Sequence, residues 1–407
     1  MSKNKNCAAA RMLYLAMGTV SMLFAGVIYA WSILKTPLAS EFGWSSQQLA
    51  LNFTLTMCFF CLGGFIGSLA VKKINHSVVI ILSGIVAGLG FVFTSLLSGS
   101  IFVLYITYAV AAGLGIGIAY NVIISSVNAW FPDKRGLSSG CLLMGFGIST
   151  LLFGNIFDVL FSMPEIGWRK AYVLFGIVIA VVLIASGIII KRPAKDTVLP
   201  QPKKNTSAKE ESFEKKDYST LEMIKRFSFW RAFVCLIFLC AVGNSVISFA
   251  KDLAVSVGAS AALSTTLVGI LSVCNGLGRI ITGAVFDRFG RRITMIGSNI
   301  VTIAAAGITL LAVLVHSLPI CIVGLCLTGI SYGSSPTVSS AFIAAFYGQK
   351  YFATNYSVMN FHLTIGSFMA TACSSLLTSS GSYIAPFVLL LSLACAALIL
   401  NFSIRRP

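Results

Sequence analysis

The sequence predicts an all-α membrane protein with twelve transmembrane helices in two six-helix repeats. Three observations predict it. Of the 407 residues, 57% are hydrophobic and only 10% charged, far from the balance of a soluble domain. Apolar stretches long enough to cross a bilayer recur from end to end. The second half of the chain also repeats the first at a constant offset, which sets Gly67 on Gly283.

The stretches number twelve, at about 12–34, 47–71, 78–97, 101–129, 137–162, 171–190, 229–250, 263–286, 293–315, 319–346, 353–378 and 383–402. They lack the polar–apolar alternation of strands, and a backbone in lipid must satisfy its own hydrogen bonds, so each is read as a helix. The first follows basic residues, as a secretory signal does. Its apolar region is too long for one, and no small-residue cleavage site follows. In span two, Cys58-Phe59-Phe60-Cys61 has the form of a redox or metal motif. At lipid depth the eleven cysteines are better read as small apolar packing residues. In span four, Gly113, Gly115 and Gly117 suggest a dinucleotide loop, but no strand precedes them. Close helix packing accounts for them.

After span six, residues 191–227 are polar and rich in lysine and proline. They read as a cytoplasmic linker with a short amphipathic helix near Leu221–Phe227, between an N-terminal half (1–190) and a C-terminal half (228–407). The offset that sets Gly67 on Gly283 also sets Gly113, Gly115 and Gly117 on Gly329, Ser331 and Gly333. Six plus six in one orientation is a parallel repeat, which places a substrate site near the midplane between halves.

The net charge of +17 raises the question of nucleic acid, and its distribution answers it. With both termini in the cytoplasm, inner segments hold 24 of the 29 lysines and arginines. Lys35, Arg169, Lys170 and Lys251 remain at outer ends, and Arg279 lies inside span eight. This is the positive-inside asymmetry of a multi-pass protein of the cell membrane, not a nucleic-acid face.

Arg279 is the exception that points to function. A guanidinium stays charged at any physiological pH, and at bilayer depth it costs at least ~2.5–3.5 kcal/mol unless a partner or an aqueous cavity receives it. The next acid along the chain is Asp287, about two turns away. A ligand anion is therefore the expected counter-charge, most simply a carboxylate held at two points. The offset pairs Arg279 with Gly63, so the cation is an addition to one half alone. Asn275, one turn before it, can bond it but carries no proton. Tyr120 and Asn121 in span four, Tyr332 in span ten and Tyr29 near the end of span one offer further polar contacts. Interhelical bonding is the alternative role for each. His362 in span eleven is the nearest candidate for a second cation. Asn52, Asn128 and Asn244 read as helix–helix contacts, Asp158 as a locally bonded acid, and Lys251-Asp252 as a helix-end pair. No catalytic constellation, metal site or cofactor motif appears, so an enzyme is not expected.

Between spans eight and nine, Gly283-Ala284-Val285-Phe286-Asp287-Arg288-Phe289-Gly290-Arg291-Arg292 resembles the loop motif of the major facilitator superfamily. That reading makes Gly283 a close helix approach and makes Asp287, Arg288 and Arg291 an inner latch. In the first half Val71 stands where the acid belongs. Four more pieces are Tyr29-Ala30-Trp31-Ser32, Phe42-Gly43-Trp44, Trp130-Phe131-Pro132-Asp133-Lys134-Arg135-Gly136 and Gly167-Trp168-Arg169-Lys170-Ala171-Tyr172. In this order they resemble the oxalate/formate antiporter family, related to the monocarboxylate transporters, over the whole chain. The resemblance implies the major facilitator fold and transport of small carboxylates, with Arg279 at the family's substrate-binding cation. Two departures stand out. Span eleven lacks the lysine of oxalate carriers, and Asn275 stands where proton-coupled carriers have aspartate. Together these favour an antiporter of monocarboxylates such as formate, lactate or pyruvate, and a monomer is expected. Proton symport and oxalate/formate exchange are the alternatives. A membrane sensor would need a larger soluble domain than the linker, and multidrug efflux would call for an acidic pocket.

Overall fold

The computed structural model describes residues 2–133, 135–194, 197, 199–200, 217–348 and 350–404, leaving out the side chains of 2–8, 135–137, 287 and 353. Most of the linker, 201–216, therefore lies outside the described residues, as does the side chain of Asp287.

Among the described residues, eleven helices are long and apolar enough to span a membrane. They are α1 (Ala9–Phe42), α2 (Ser46–Ala70), α3 (His76–Thr94), α4 (Ile101–Asn128), α5 (Ser138–Ser162), α6 (Gly167–Ile189), α7 (Phe227–Ser256), α8 (Ala261–Phe286), α9 (Arg288–Leu314), α10 (Leu318–Tyr347) and α12 (Ile384–Phe402). The twelfth, α11, runs as Phe352–Met359 and Phe361–Ser380 with a turn at Asn360. It is the polar member because it faces protein. Thr54 Oγ1 of α2 donates to the Ser367 carbonyl (2.8 Å), and Thr364 Oγ1 donates to the Met57 carbonyl (3.3 Å).

Helix α1 outlasts its apolar run. The run stops at Lys35, but the helix continues until Gly43, at φ 65°, ends it. A 3₁₀ stretch, Gly26–Ala30, sets Tyr29 in its middle. Helices α8 and α9 are nearly continuous, with a kink in the first turn of α9 at Gly290, whose φ of 73° favours glycine.

The repeat is visible as backbone contact. On α4, a Cβ at Gly113 or Gly117 would collide with the carbonyls of Thr56 or Phe60 on α2. On α10, a Cβ at Gly329 or Gly333 would collide with those of Leu271 or Asn275 on α8. Gly63 and Gly278 meet the carbonyls of Leu114 and Ile330 in the same way. Helix α4 thus maps onto α10 with Gly113 on Gly329, as the sequence suggests. Helix α2 maps onto α8 with Gly63 on Gly278, one position short of that register. The counterpart of Arg279 is Gly64, not Gly63, and that of Asn275 is Phe60. Among the described residues Gly283 makes no close approach, because the one neighbour of a Cβ there is Thr337 at an ordinary 3.7 Å. Gly278 has that role.

The halves meet where α5 packs on α8 and α2 on α11. Ser272 of α8 donates to the Gly147 carbonyl of α5. Past the undescribed linker residues, the Tyr218 amide donates to the Tyr347 carbonyl (3.0 Å) and Asn355 Nδ2 donates to the Tyr218 carbonyl (3.0 Å). The short helix that follows, Thr220–Ile224, carries a Ser219–Glu222 capping box and stops where α7 begins.

Candidate functional site

Arg279 is 3% exposed. Its Nη1 donates to the Leu143 carbonyl on α5 (2.9 Å) and its Nε to Asn275 Oδ1 (3.3 Å). The second bond follows from helical spacing, which stacks residues four apart on one face. Among the described residues no acid pairs with it, and the four ion pairs seen lie elsewhere. A carbonyl and an amide oxygen solvate the guanidinium but do not neutralise it.

Around the guanidinium stands a ring of aromatics from both halves. Its Cζ lies 5.9 Å from the Phe146 ring. Tyr29 and Tyr120 each meet Phe146 edge-on at 5.1 Å, and Phe60 packs on Tyr120 at 5.0 Å. The hydroxyls of Tyr29 and Tyr332 are 3.1 Å apart, joining α1 to α10 across the halves. Tyr356 of α11 lies close to Tyr120, and all four tyrosine hydroxyls are near enough to Arg279 to feel its charge. Two buried amide atoms here have no partner among the described residues, Asn275 Nδ2 and Asn360 Oδ1. An unpaired buried donor beside an un-neutralised guanidinium is a site for an acceptor of negative charge.

The structure thus gathers Arg279, Asn275, Tyr29, Tyr120 and Tyr332. It also adds Phe60, Phe146 and Tyr356, which periodicity alone does not separate from packing residues. His362 stands in a different network. Its Nδ1 lies 2.6 Å from the Met359 carbonyl, and its Nε2 lies 3.1 Å from Ser335 Oγ, which in turn lies 2.9 Å from Cys240 Sγ. Both ring nitrogens are engaged without contact to Arg279. Asn121 Nδ2 donates to Ser357 Oγ on α11 (3.0 Å), joining the two halves. Asn128 and Asn244 bond neighbouring helices as expected, but both amide atoms of Asn52 are buried without a partner among the described residues.

The latch residues are only partly described. Arg291 donates to the Ile404 carbonyl (3.3 Å) and lies over the Phe346 ring, both in its own half. Arg288 is exposed beside Phe289. The other motif pieces clasp the ends of the first half. Arg11 pairs with Asp133 and covers Phe131 at the end near the N-terminus. At the opposite end, Arg169 bonds Glu41 (2.6 Å) and the Ser95 and Leu97 carbonyls (2.8 Å each).

Comparison with known proteins agrees with this architecture. A sequence model described as Major Facilitator Superfamily matches residues 15–250 and again 232–407. An uncharacterized MFS-type transporter of Escherichia coli, YhjX, is 28% identical over 86% of this chain and 84% of its own length. The oxalate:formate antiporter of Oxalobacter formigenes is 27% identical over 72% of this chain and 68% of its own. Monocarboxylate transporter 12 of Xenopus laevis is 25% identical over 63% and 58%. Among solved structures, a bacterial homologue of the human lysosomal transporter Spinster, inward-facing and unoccupied, superposes with a TM-score of 0.68. It is 18% identical over 97% of both chains, a likeness of fold.

Proposed function

This chain belongs to the Major Facilitator Superfamily, and from that premise we propose that it exchanges small monocarboxylates, formate, lactate or pyruvate, across the cell membrane by alternating access. The observation that carries the reading is the un-neutralised Arg279 inside a closed aromatic ring. A carboxylate supplies the missing charge, held by the guanidinium and by Asn275 Nδ2, with the hydroxyls of Tyr29, Tyr120 and Tyr332 turned to its oxygens. Tyr29 and Tyr332 come from opposite halves, so an anion touching both ties occupancy to closure.

Exchange follows from the same charge. Carrying an unpaired guanidinium through a closed, dry conformation is costly, so the loaded carrier crosses more readily than the empty one. No acid borders Arg279 among the described residues, and Asn275 cannot take a proton, which argues against proton symport. One fixed cation suits a monoanion. The relative named for oxalate and formate keeps exchange of that pair as the second reading. In the proposed arrangement a monomer carries six-helix halves at 1–190 and 228–407, joined by 191–227, with both termini in the cytoplasm and Asp287, Arg288 and Arg291 latching the inner side.

Uptake of labelled formate, lactate, pyruvate and oxalate into proteoliposomes tests this. Internal monocarboxylate should accelerate uptake several-fold, and a proton gradient alone should not drive it. Uptake that needs the proton gradient and ignores internal anion would establish symport. Transport of cations only would overturn the reading.

A further inference from the structure

Lys35 and Lys251 occupy the same place in the two repeats, near the outer ends of α1 and α7, in the register that sets Gly113 on Gly329. Each reaches into the other half. Lys35 Nζ donates to Asp252 Oδ2 (2.7 Å). Lys251 Nζ donates to both oxygens of Asp158 on α5 (3.0 and 3.3 Å). Lys251 and Asp252 are therefore not the local pair that their adjacency in sequence suggests. They are two ends of a crossed bracket. Asp158 also accepts from Thr265 Oγ1 on α8, the helix that bears Arg279.

The bracket sits on a broken helix. Phe249 interrupts α7 at φ −132°, ψ 17°. The Ser248 carbonyl just before the break accepts from Lys35 Nζ (3.1 Å). The outer piece, Ala250 to Ser256, holds both Lys251 and Asp252, so two ion pairs tie it to the first half, beside the packing of its buried Ala250, Leu253 and Ala254. The lysine side chains are 8% and 11% exposed, but Asp252 and Asp158 keep 49% and 31%. Pairs so close to water are weak enough to break and re-form. One turn inward from Lys35, Ser32 Oγ is buried with no partner among the described residues, a polar atom on the line from the bracket to the Arg279 ring.

We propose that Lys35–Asp252 and Lys251–Asp158 form the outer gate, and that the outer piece of α7 swings about Phe249 to open it. The inference rests on the reading that the halves alternate. In the closed state shown here, the two lysines staple α7 to α1 and α5. Opening exchanges both pairs for water and frees the outer turns of α7 from the first half. Thr265 links the gate to the site, because a shift of α8 on binding at Arg279 moves the hydroxyl that Asp158 holds.

The test is a Ser32→Cys reporter in the full-length protein, with the eleven native cysteines replaced, labelled from outside intact cells by a membrane-impermeant thiol reagent. Labelling should be slow in that background. It should be at least ~3-fold faster after Asp158→Asn, Lys251→Met or Asp252→Asn, as expected when a half-exposed pair is lost. The exchanged pair Asp158→Lys with Lys251→Asp should return it toward the slow rate. Asp252→Asn, which removes the most exposed acid, guards against misfolding of the others. Unchanged labelling in correctly assembled variants overturns the gate and makes the bracket a fixed staple. The readout needs no substrate. Faster labelling without carboxylate exchange would sink the substrate reading alone, and exchange with unchanged labelling would sink the gate alone.

Discussion

Gly64 and Arg279 are equivalent positions in the two repeats. Each follows a glycine, Gly63 or Gly278, that presses its helix onto the backbone of the next at Leu114 or Ile330. The surroundings match as well. A Cβ at Gly64 would lie 3.6 Å from Asn121, and the Arg279 carbonyl accepts from Thr337, the counterpart of Asn121 on α10. The first half offers no side chain where the second offers a guanidinium. The frame is symmetric and the charge is not, so the ligand is read by one half and enclosed by both.

Asn275→Asp should turn that charge inward. A carboxylate within reach of Arg279 Nε competes with the substrate, so formate affinity at neutral pH should fall about tenfold. Protonation of the new carboxyl frees the guanidinium, so affinity should recover as pH falls. Binding measured between pH 5 and 8 checks the sign, and an affinity equal to the parent at every pH would rule out competition.

Asp287→Asn and Arg291→Ala should separate two roles of the loop motif. Arg291 bonds the Ile404 carbonyl and covers the Phe346 ring, so its loss should lower thermal stability by about 1 kcal/mol in addition to loosening the latch. Loss of Asp287 should raise cysteine labelling from the cytoplasmic side. Equal labelling in both variants and the parent would reduce the motif to a topology signal.

A second cation should broaden the substrate range. Near neutral pH the parent should prefer formate or lactate to oxalate, since a dianion leaves one charge unpaired, at a cost of several kcal/mol before relaxation. With the His362 ring engaged by Met359 and Ser335, the position on α11 nearest the site is Asn360, which lies close to Tyr356 and whose buried Oδ1 has no partner among the described residues. Asn360→Lys should strengthen oxalate competition more than lysine at 362 or 363 does. A parent that already binds oxalate more tightly than formate would show that counting fixed cations is the wrong guide.

The twelve helices were legible because burial in lipid leaves a plain signal, a long apolar run. Arg279 was legible because it breaks such a run. What the sequence hides is partnership. Lys251 and Asp252 look like a local pair but each bonds across to the first half, and only the fold brings Asp158 to Lys251 and Lys35 to Asp252. The register of the repeat is hidden too. Gly67 and Gly283 suggest one offset for the whole chain, whereas backbone collisions at Gly63 and Gly278 shift α2 against α8 by a single position. Phe146 and Tyr356 escape for a different reason. An aromatic in a membrane helix packs against lipid, protein or ligand with the same hydropathy, and only its neighbours tell which.

The most direct measurement is carboxylate exchange by Arg279→Ala and Arg279→Lys in proteoliposomes, at matched protein content. Alanine should abolish exchange while the protein still inserts. Lysine should keep the charge but lose the planar two-point contact, leaving weaker binding. An alanine variant that exchanges formate or lactate with unchanged affinity would contradict a carboxylate held by Arg279.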